Sequence, residues 1–142
     1  MKTDIIITKV WSDEFSTEFN VKFKTLLNHE DFVVSGNYYI SKGQLKQLAK
    51  NLNKASGTVI FGSKESKDYC ELSVGQSERG YKNINFHMVK EGEYYELIGS
   101  IDLTLNTGYV IEPAILDRIV PRLENFYDEA EGSKISLMNE EN

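Results

Sequence analysis

A single cysteine, Cys70, stands in the chain, so no internal disulfide can form. It lies in the alternating run YCELSV with Leu72 and Val74 and reads as a buried free thiol, a small hydrophobe. No electropositive neighbour marks it as a nucleophile. An unpaired thiol fits a reducing cytosol, and a cytoplasmic location is expected. With one cysteine, the separated His29 and His87 do not suggest a zinc site. No apolar run approaches the ~18–20 residues of a membrane span. The opening MKTDIIITKVWSDEF, broken by Asp4 and Lys9, does not read as a signal peptide. Gly-x-Ser-x-Gly, Cys-x-x-Cys and His-Glu-x-x-His are absent. GQSERG lies between two strands and reads as a hairpin loop, so no phosphate cradle is expected. No catalytic, cofactor or metal set is assigned, and an enzyme is not expected.

Basic residues are also in deficit. Sixteen Lys and Arg face 22 Asp and Glu, for a net charge of −6, and the imbalance is uneven. Residues 1–54 carry +2, whereas 55–112 and 113–142 carry −4 each. Such a surface disfavours nucleic acid and favours a basic partner.

Only two prolines stand beside eight tyrosines and seven phenylalanines, a balance that favours strands. The run Ile5–Val10 predicts a first strand. A second carries Phe19, Val21, Phe23 and Leu27, and a third Phe32, Val34, Gly36, Tyr38 and Ile40, with NHED as the turn and His29 in it. The period then changes. In SKGQLKQLAKNLNK, Leu45, Leu48, Ala49 and Leu52 make a helical stripe, started by a Ser41/Gln44 capping box and stopped at Ser56-Gly57. A short strand at TVIFG and three more over 69–75, 81–89 and 94–105 follow. A second helix starts at Pro113, with Ile115, Leu116, Ile119, Val120, Leu123, Phe126 and Tyr127 as its stripe and Pro121 as a kink. The fold class is α+β, a largely antiparallel sheet, curled or sandwich-like, with two helices. Residues 1–130 read as one domain and 131–142 as an acidic, flexible tail.

Registers can be proposed for the later strands. Leu72 opposite Ile84 and Cys70 opposite Phe86 keep one face apolar, as do Phe86 opposite Leu97 and Met88 opposite Tyr95, with a turn at Glu91-Gly92. The outer face then holds the rows Tyr69, His87, Glu96; Glu71, Asn85, Ile98; and Ser73, Asn83, Ser100. His87 beside Glu96 and Tyr69 permits an acid–base reading, set against an ordinary exposed polar face. Lys42, Lys46, Lys50 and Lys54 recur every four residues and permit an RNA-binding reading, set against a solvated helix face. The row has no arginine and no interleaved aromatic.

The phrases DFVVSGNYYISKGQLKQLAKNL, CELSVGQSERGYKNINFHMV and YYELIGSIDLTLNTGYVIEPAILDRIVPRLENFY together resemble the WapI-family immunity proteins, over roughly residues 15–130. The likeness is one of layout and phrasing. It implies a bacterial cytoplasmic antitoxin that binds the C-terminal domain of a cell-wall-associated polymorphic toxin, a tRNA-cleaving nuclease in the family's best-known pairing. It brings no catalytic residues. Neither membrane nor direct nucleic-acid binding is expected. The expected contact surface is the acidic, tyrosine-bearing outer face, with Tyr69, Glu71, Tyr94, Glu96, Ile98 and Asp102 as candidates.

Overall fold

The computed structural model describes residues 3–77, 79–94, 97–105 and 110–139, with side-chain detail outside 92–110. In chain order the elements are β1 (Asp4–Ser12), β2 (Thr17–Leu27), β3 (Glu30–Tyr39), α1 (Lys42–Lys54), β4 (Gly57–Ser63), β5 (Asp68–Gln76), β6 (Lys82–Tyr94), β7 (Leu97–Leu105), β8 (Val110–Ile111), α2 (Pro113–Asn125), a 3-10 turn (Phe126–Asp128) and β9 (Lys134–Ser136). The first sheet has the order β3-β2-β1-β9 and the second β4-β5-β6-β7, with β8 also paired to β6. All the pairings are antiparallel. The fold is α+β.

One continuous core joins the sheets and helices. The first sheet contributes Ile5, Ile7, Phe19, Val21 and Phe23, and the second Phe61, Cys70, Leu72, Ile84, Phe86 and Met88, all fully buried. Each set follows the period of two that its sequence alternation dictates. Phe23 of one sheet stacks on Phe86 of the other, ring centroids 5.1 Å apart. No helix among the described residues is long and apolar enough to cross a membrane.

The β2–β3 hairpin closes through two residues, Asn28 and His29, with φ of 51° and 67°. Positive φ at both positions is the type I′ turn that matches strand twist. Asn and His adopt it more readily than most residues, but only glycine does so without a Cβ cost. Replacing His29 by glycine should therefore stabilise the protein by about 0.5–1 kcal/mol, strain relief outweighing the added freedom of the unfolded chain. Denaturant unfolding of the His29→Gly variant checks this; an unchanged or lower midpoint would contradict it.

Helix α1 begins as its sequence indicates. The Ser41 hydroxyl accepts from the Gln44 amide at 3.1 Å, and the Gln44 side chain accepts from the Ser41 amide at 2.9 Å. Leu45, Leu48, Ala49 and Leu52 face the core. The helix ends one residue before the expected stop, with Ala55 left-handed at φ 56°. Gly57 then passes so close to Asn51 that a Cβ there would lie 2.6 Å from the amide carbon. Helix α2 starts at Pro113, buries Ile115, Leu116, Ile119 and Leu123, and runs on through Pro121 to Asn125. It packs chiefly against α1.

The C-terminal segment corrects the expectation of a flexible tail. Lys134–Ser136 pairs with β1, and Ile135, Leu137 and Met138 are buried. Asp4, only 2% exposed, is covered by this segment. Its carboxylate accepts from the Ser136 hydroxyl at 2.6 Å and from the Met138 amide at 3.3 Å. Lys9 is similarly enclosed, its ammonium donating to the carbonyls of Tyr127 and Glu129, each at 2.7 Å. A buried charge is tolerated where it is hydrogen-bonded, and these two groups tie β1 to the end of the chain.

Candidate protein-binding surface

The outer face of the second sheet is built in rows, and the structure corrects their register. Leu72 stands opposite Phe86, and Cys70 opposite Met88. Strand β6 runs on through Glu91-Gly92 to Tyr94, so Phe86 pairs with Leu105 and Met88 with Leu103. Every displacement is by an even number of residues. An even slip keeps each side chain on its own face, so an apolar pattern that fixes the face cannot choose among such registers.

The resulting rows are Gly62, Tyr69, Val89, Asp102 and Ile60, Glu71, His87, Thr104. Tyr69, Glu71 and Asp102 thus fall in adjacent rows. Ile98 pairs with Glu93 near the far end of the β6–β7 ladder. Tyr94 pairs with Leu97 and occupies a β6 position of the Phe86 and Met88 parity, not that of His87. Glu96 lies outside the described residues, so the His87–Glu96 pairing is replaced in register by Glu71, His87 and Thr104.

The side chains here hold one another. The Tyr69 ring meets His87 edge to face, centroids 5.8 Å apart. The Lys64 ammonium lies 5.7 Å from the Tyr69 ring centre and 3.0 Å from a Glu71 carboxylate oxygen. The Glu71 side chain is only 20% exposed. Lys67 pairs with Glu91 at 3.3 Å, and the hydroxyls of Thr58 and Ser73 bond at 3.0 Å. Glu71 and Glu91, among the described side chains of this face, are thus each balanced by a lysine of the β4–β5 loop, which weakens them as attractors for cations.

The other candidates are placed as follows. Lys42 is bound to Asp128 at 2.7 Å, while Lys46, Lys50 and Lys54 are exposed. That hydrogen bond first, then the charges of Lys42, Lys9 and Lys46, holds the Asp128 carboxyl below its ordinary range. Cys70 is buried, and burial followed by the Glu71 charge pushes its thiol up, which disfavours the reactive thiolate. A cleft of about 290 Å³ is lined by Ile115, Arg118, Arg122 and Asn139. Arg122 there grips Glu129 through two nitrogens, at 3.0 and 3.1 Å. His29 is a turn residue. Among the described residues no group of three or more His, Cys, Asp or Glu is placed to hold a metal ion.

A second surface escaped the sequence reading. Between Lys9 and Trp11 the β1–β2 register shifts, leaving Val10 as an extra residue. Simple alternation would send Trp11 inward with Ile5, Ile7 and Lys9. The bulge instead sets Trp11 opposite Glu18, which stands opposite Tyr39. Trp11 and Tyr39 meet edge to face, centroids 6.2 Å apart, on the outer face of the first sheet. In sequence Trp11 stays in phase with Ile5 and Ile7, so a period of two carries no sign of the bulge that turns it outward.

Compared with family models, curated proteins and solved structures, the chain matches none.

Proposed function

We propose that this protein is an immunity protein: it binds and neutralises the nuclease domain of a cognate bacterial toxin and protects the cell that makes both. The observation that carries the reading is the character of the outward sheet faces. A chain of net charge −6 holds aromatic rings there in ordered contacts, Tyr69 against His87 and Trp11 against Tyr39. Helix α2 packs chiefly against α1, and Tyr39 is 62% exposed while Tyr69 and Trp11 are half-buried. Rings held at a surface among carboxylates suit the core and rim of a protein interface. The phrase-by-phrase resemblance over residues 15–130 supports the same reading.

The physical logic is electrostatic. A nuclease that grips RNA presents lysines and arginines to phosphates. An acidic protein is steered towards such a surface and, once docked, covers it. Inhibition then needs no chemistry from the inhibitor. Calorimetric titration with a catalytically inactive form of the toxin C-terminal domain encoded beside this chain should give nanomolar, one-to-one binding that weakens as salt is raised. No heat of binding at micromolar concentrations would reject the reading.

A further inference from the structure

The two outward faces are not equivalent, and the difference singles out one of them. On the second sheet Glu71 is tied to Lys64 and Tyr69 is half-buried. At the β1–β2 end of the first sheet the rings and carboxylates are more exposed. Phe15, in the loop joining β1 to β2, is 91% exposed. Tyr39 is 62% exposed and Val10 39%, and Trp11 is half-buried beside Tyr39. Single exposed apolar side chains are ordinary on a protein surface. Here several occur together, at the last strand row and the loop beyond it.

Order accompanies that exposure. The Asp13 carboxylate accepts from the Phe15 amide at 2.8 Å and the Ser16 amide at 2.9 Å, and the Asp13 amide donates to the Ser16 carbonyl at 3.0 Å. The Ser12 amide donates to the Glu131 carboxylate at 2.9 Å, joining the loop to the chain's last turn. An aromatic ring on a tied loop loses less freedom on docking than one on a loose loop.

The charge around the rings is predominantly acidic. Asp13, Glu14 and Glu131 are exposed, and Glu18 is half-buried between Trp11 and Tyr39 in their row. Of the basic groups nearby, Lys9 is engaged by two carbonyls, Lys42 by Asp128 and Arg122 by Glu129, while Lys134, exposed opposite Thr8, stands one row away. An apolar knob inside an acidic rim complements an apolar pocket inside a basic surface.

We infer that the toxin domain docks on this end of the first sheet, with Phe15 entering an apolar pocket on the toxin's basic surface and Trp11 and Tyr39 packing behind it. The inference rests on the immunity reading and names its contact surface. The Asp13, Glu14, Glu18 and Glu131 carboxylates then steer the approach, and the rings hold the complex once formed.

The test is the same titration, run with four chains: wild type, Phe15→Ala, Glu14→Lys and Glu71→Ala. Truncating a central aromatic anchor should weaken binding by roughly 30-fold or more, mainly through faster dissociation. Reversing a rim charge should slow association by about tenfold at low salt, and the Glu71 variant should stay within about twofold of wild type. Thermal unfolding of the Phe15→Ala chain should match wild type, since the side chain lies in solvent. Tight wild-type binding that Phe15→Ala and Glu14→Lys leave unchanged would overturn the docking surface and leave the immunity reading standing. Loss of binding in Glu71→Ala alone would move the contact to the second sheet, with the same consequence. A wild-type chain that does not bind removes the immunity reading and this surface together. Sedimentation showing a micromolar dimer of the free chain, abolished by Phe15→Ala, would assign the patch to a second copy and overturn the inference.

Discussion

A chain lacking residues 134–142 should be unfolded at 25 °C. The segment buries Ile135 and Leu137 completely and leaves Met138 9% exposed. Truncating a buried aliphatic side chain to alanine costs about 2–5 kcal/mol, so losing all three removes an amount comparable with the whole stability of a domain, about 5–15 kcal/mol. The loss goes beyond area. Strand β1 becomes an open edge where Ile6, Ile7 and Thr8 were paired. The Asp4 carboxylate loses the Ser136 hydroxyl and the Met138 amide. A point substitution separates these effects: Leu137→Ala should fold but lose about 3 kcal/mol, roughly 10 °C in melting temperature. Circular dichroism and amide dispersion in a proton–nitrogen correlation spectrum measure both. A truncated chain with native dispersion would show the segment to be an accessory.

The second large effect lies between the sheets. Phe23 and Phe86 are fully buried and stack at 5.1 Å with an interplanar angle of 27°. Each alanine substitution should cost about 3–5 kcal/mol, transfer of the ring plus the cavity it leaves. The double substitution should cost less than the sum by about 1 kcal/mol, since ring–ring contact adds roughly 0.5–1.5 kcal/mol beyond burial and vanishes with either partner. Urea unfolding of the two single variants and the double variant closes the cycle. Strict additivity would mean that the two sheets do not share this contact.

Much of the fold was legible. The alternations of β2 and β3 sort into inner and outer faces as read except at Leu27, which is exposed, and the period change into α1, the Ser41/Gln44 box and Pro113 mark helices where they stand. These signals are local: a period of two or 3.6 and a hydrogen bond three residues away need no partner strand. The candidate surface was legible only in part. Tyr69 and Glu71 fall in adjacent rows as expected, but Asp102 reaches the Tyr69 row only in the observed register, and Lys64, which balances Glu71, comes from the preceding loop and was not in view.

The missed features share a cause. The register of β5, β6 and β7 differs from the expected one by even steps, invisible to a pattern that distinguishes faces alone. ISLM at 135–138 is four residues in a polar, acidic context, too short to announce a strand; its apolar side chains matter because β1 offers an edge and the core a gap. The bulge at Val10 adds one residue against its partner and reverses the side on which Trp11 stands. By itself, then, the sequence determined which residues seek a core, where helices begin, and that the surface is acidic. Tertiary structure alone decided which carboxylates are balanced, that the end of the chain completes a sheet, and that Trp11 and Tyr39 meet on the outside. Those outcomes depend on pairings between distant segments, and a side chain's local pattern carries no record of what the rest of the fold brings beside it.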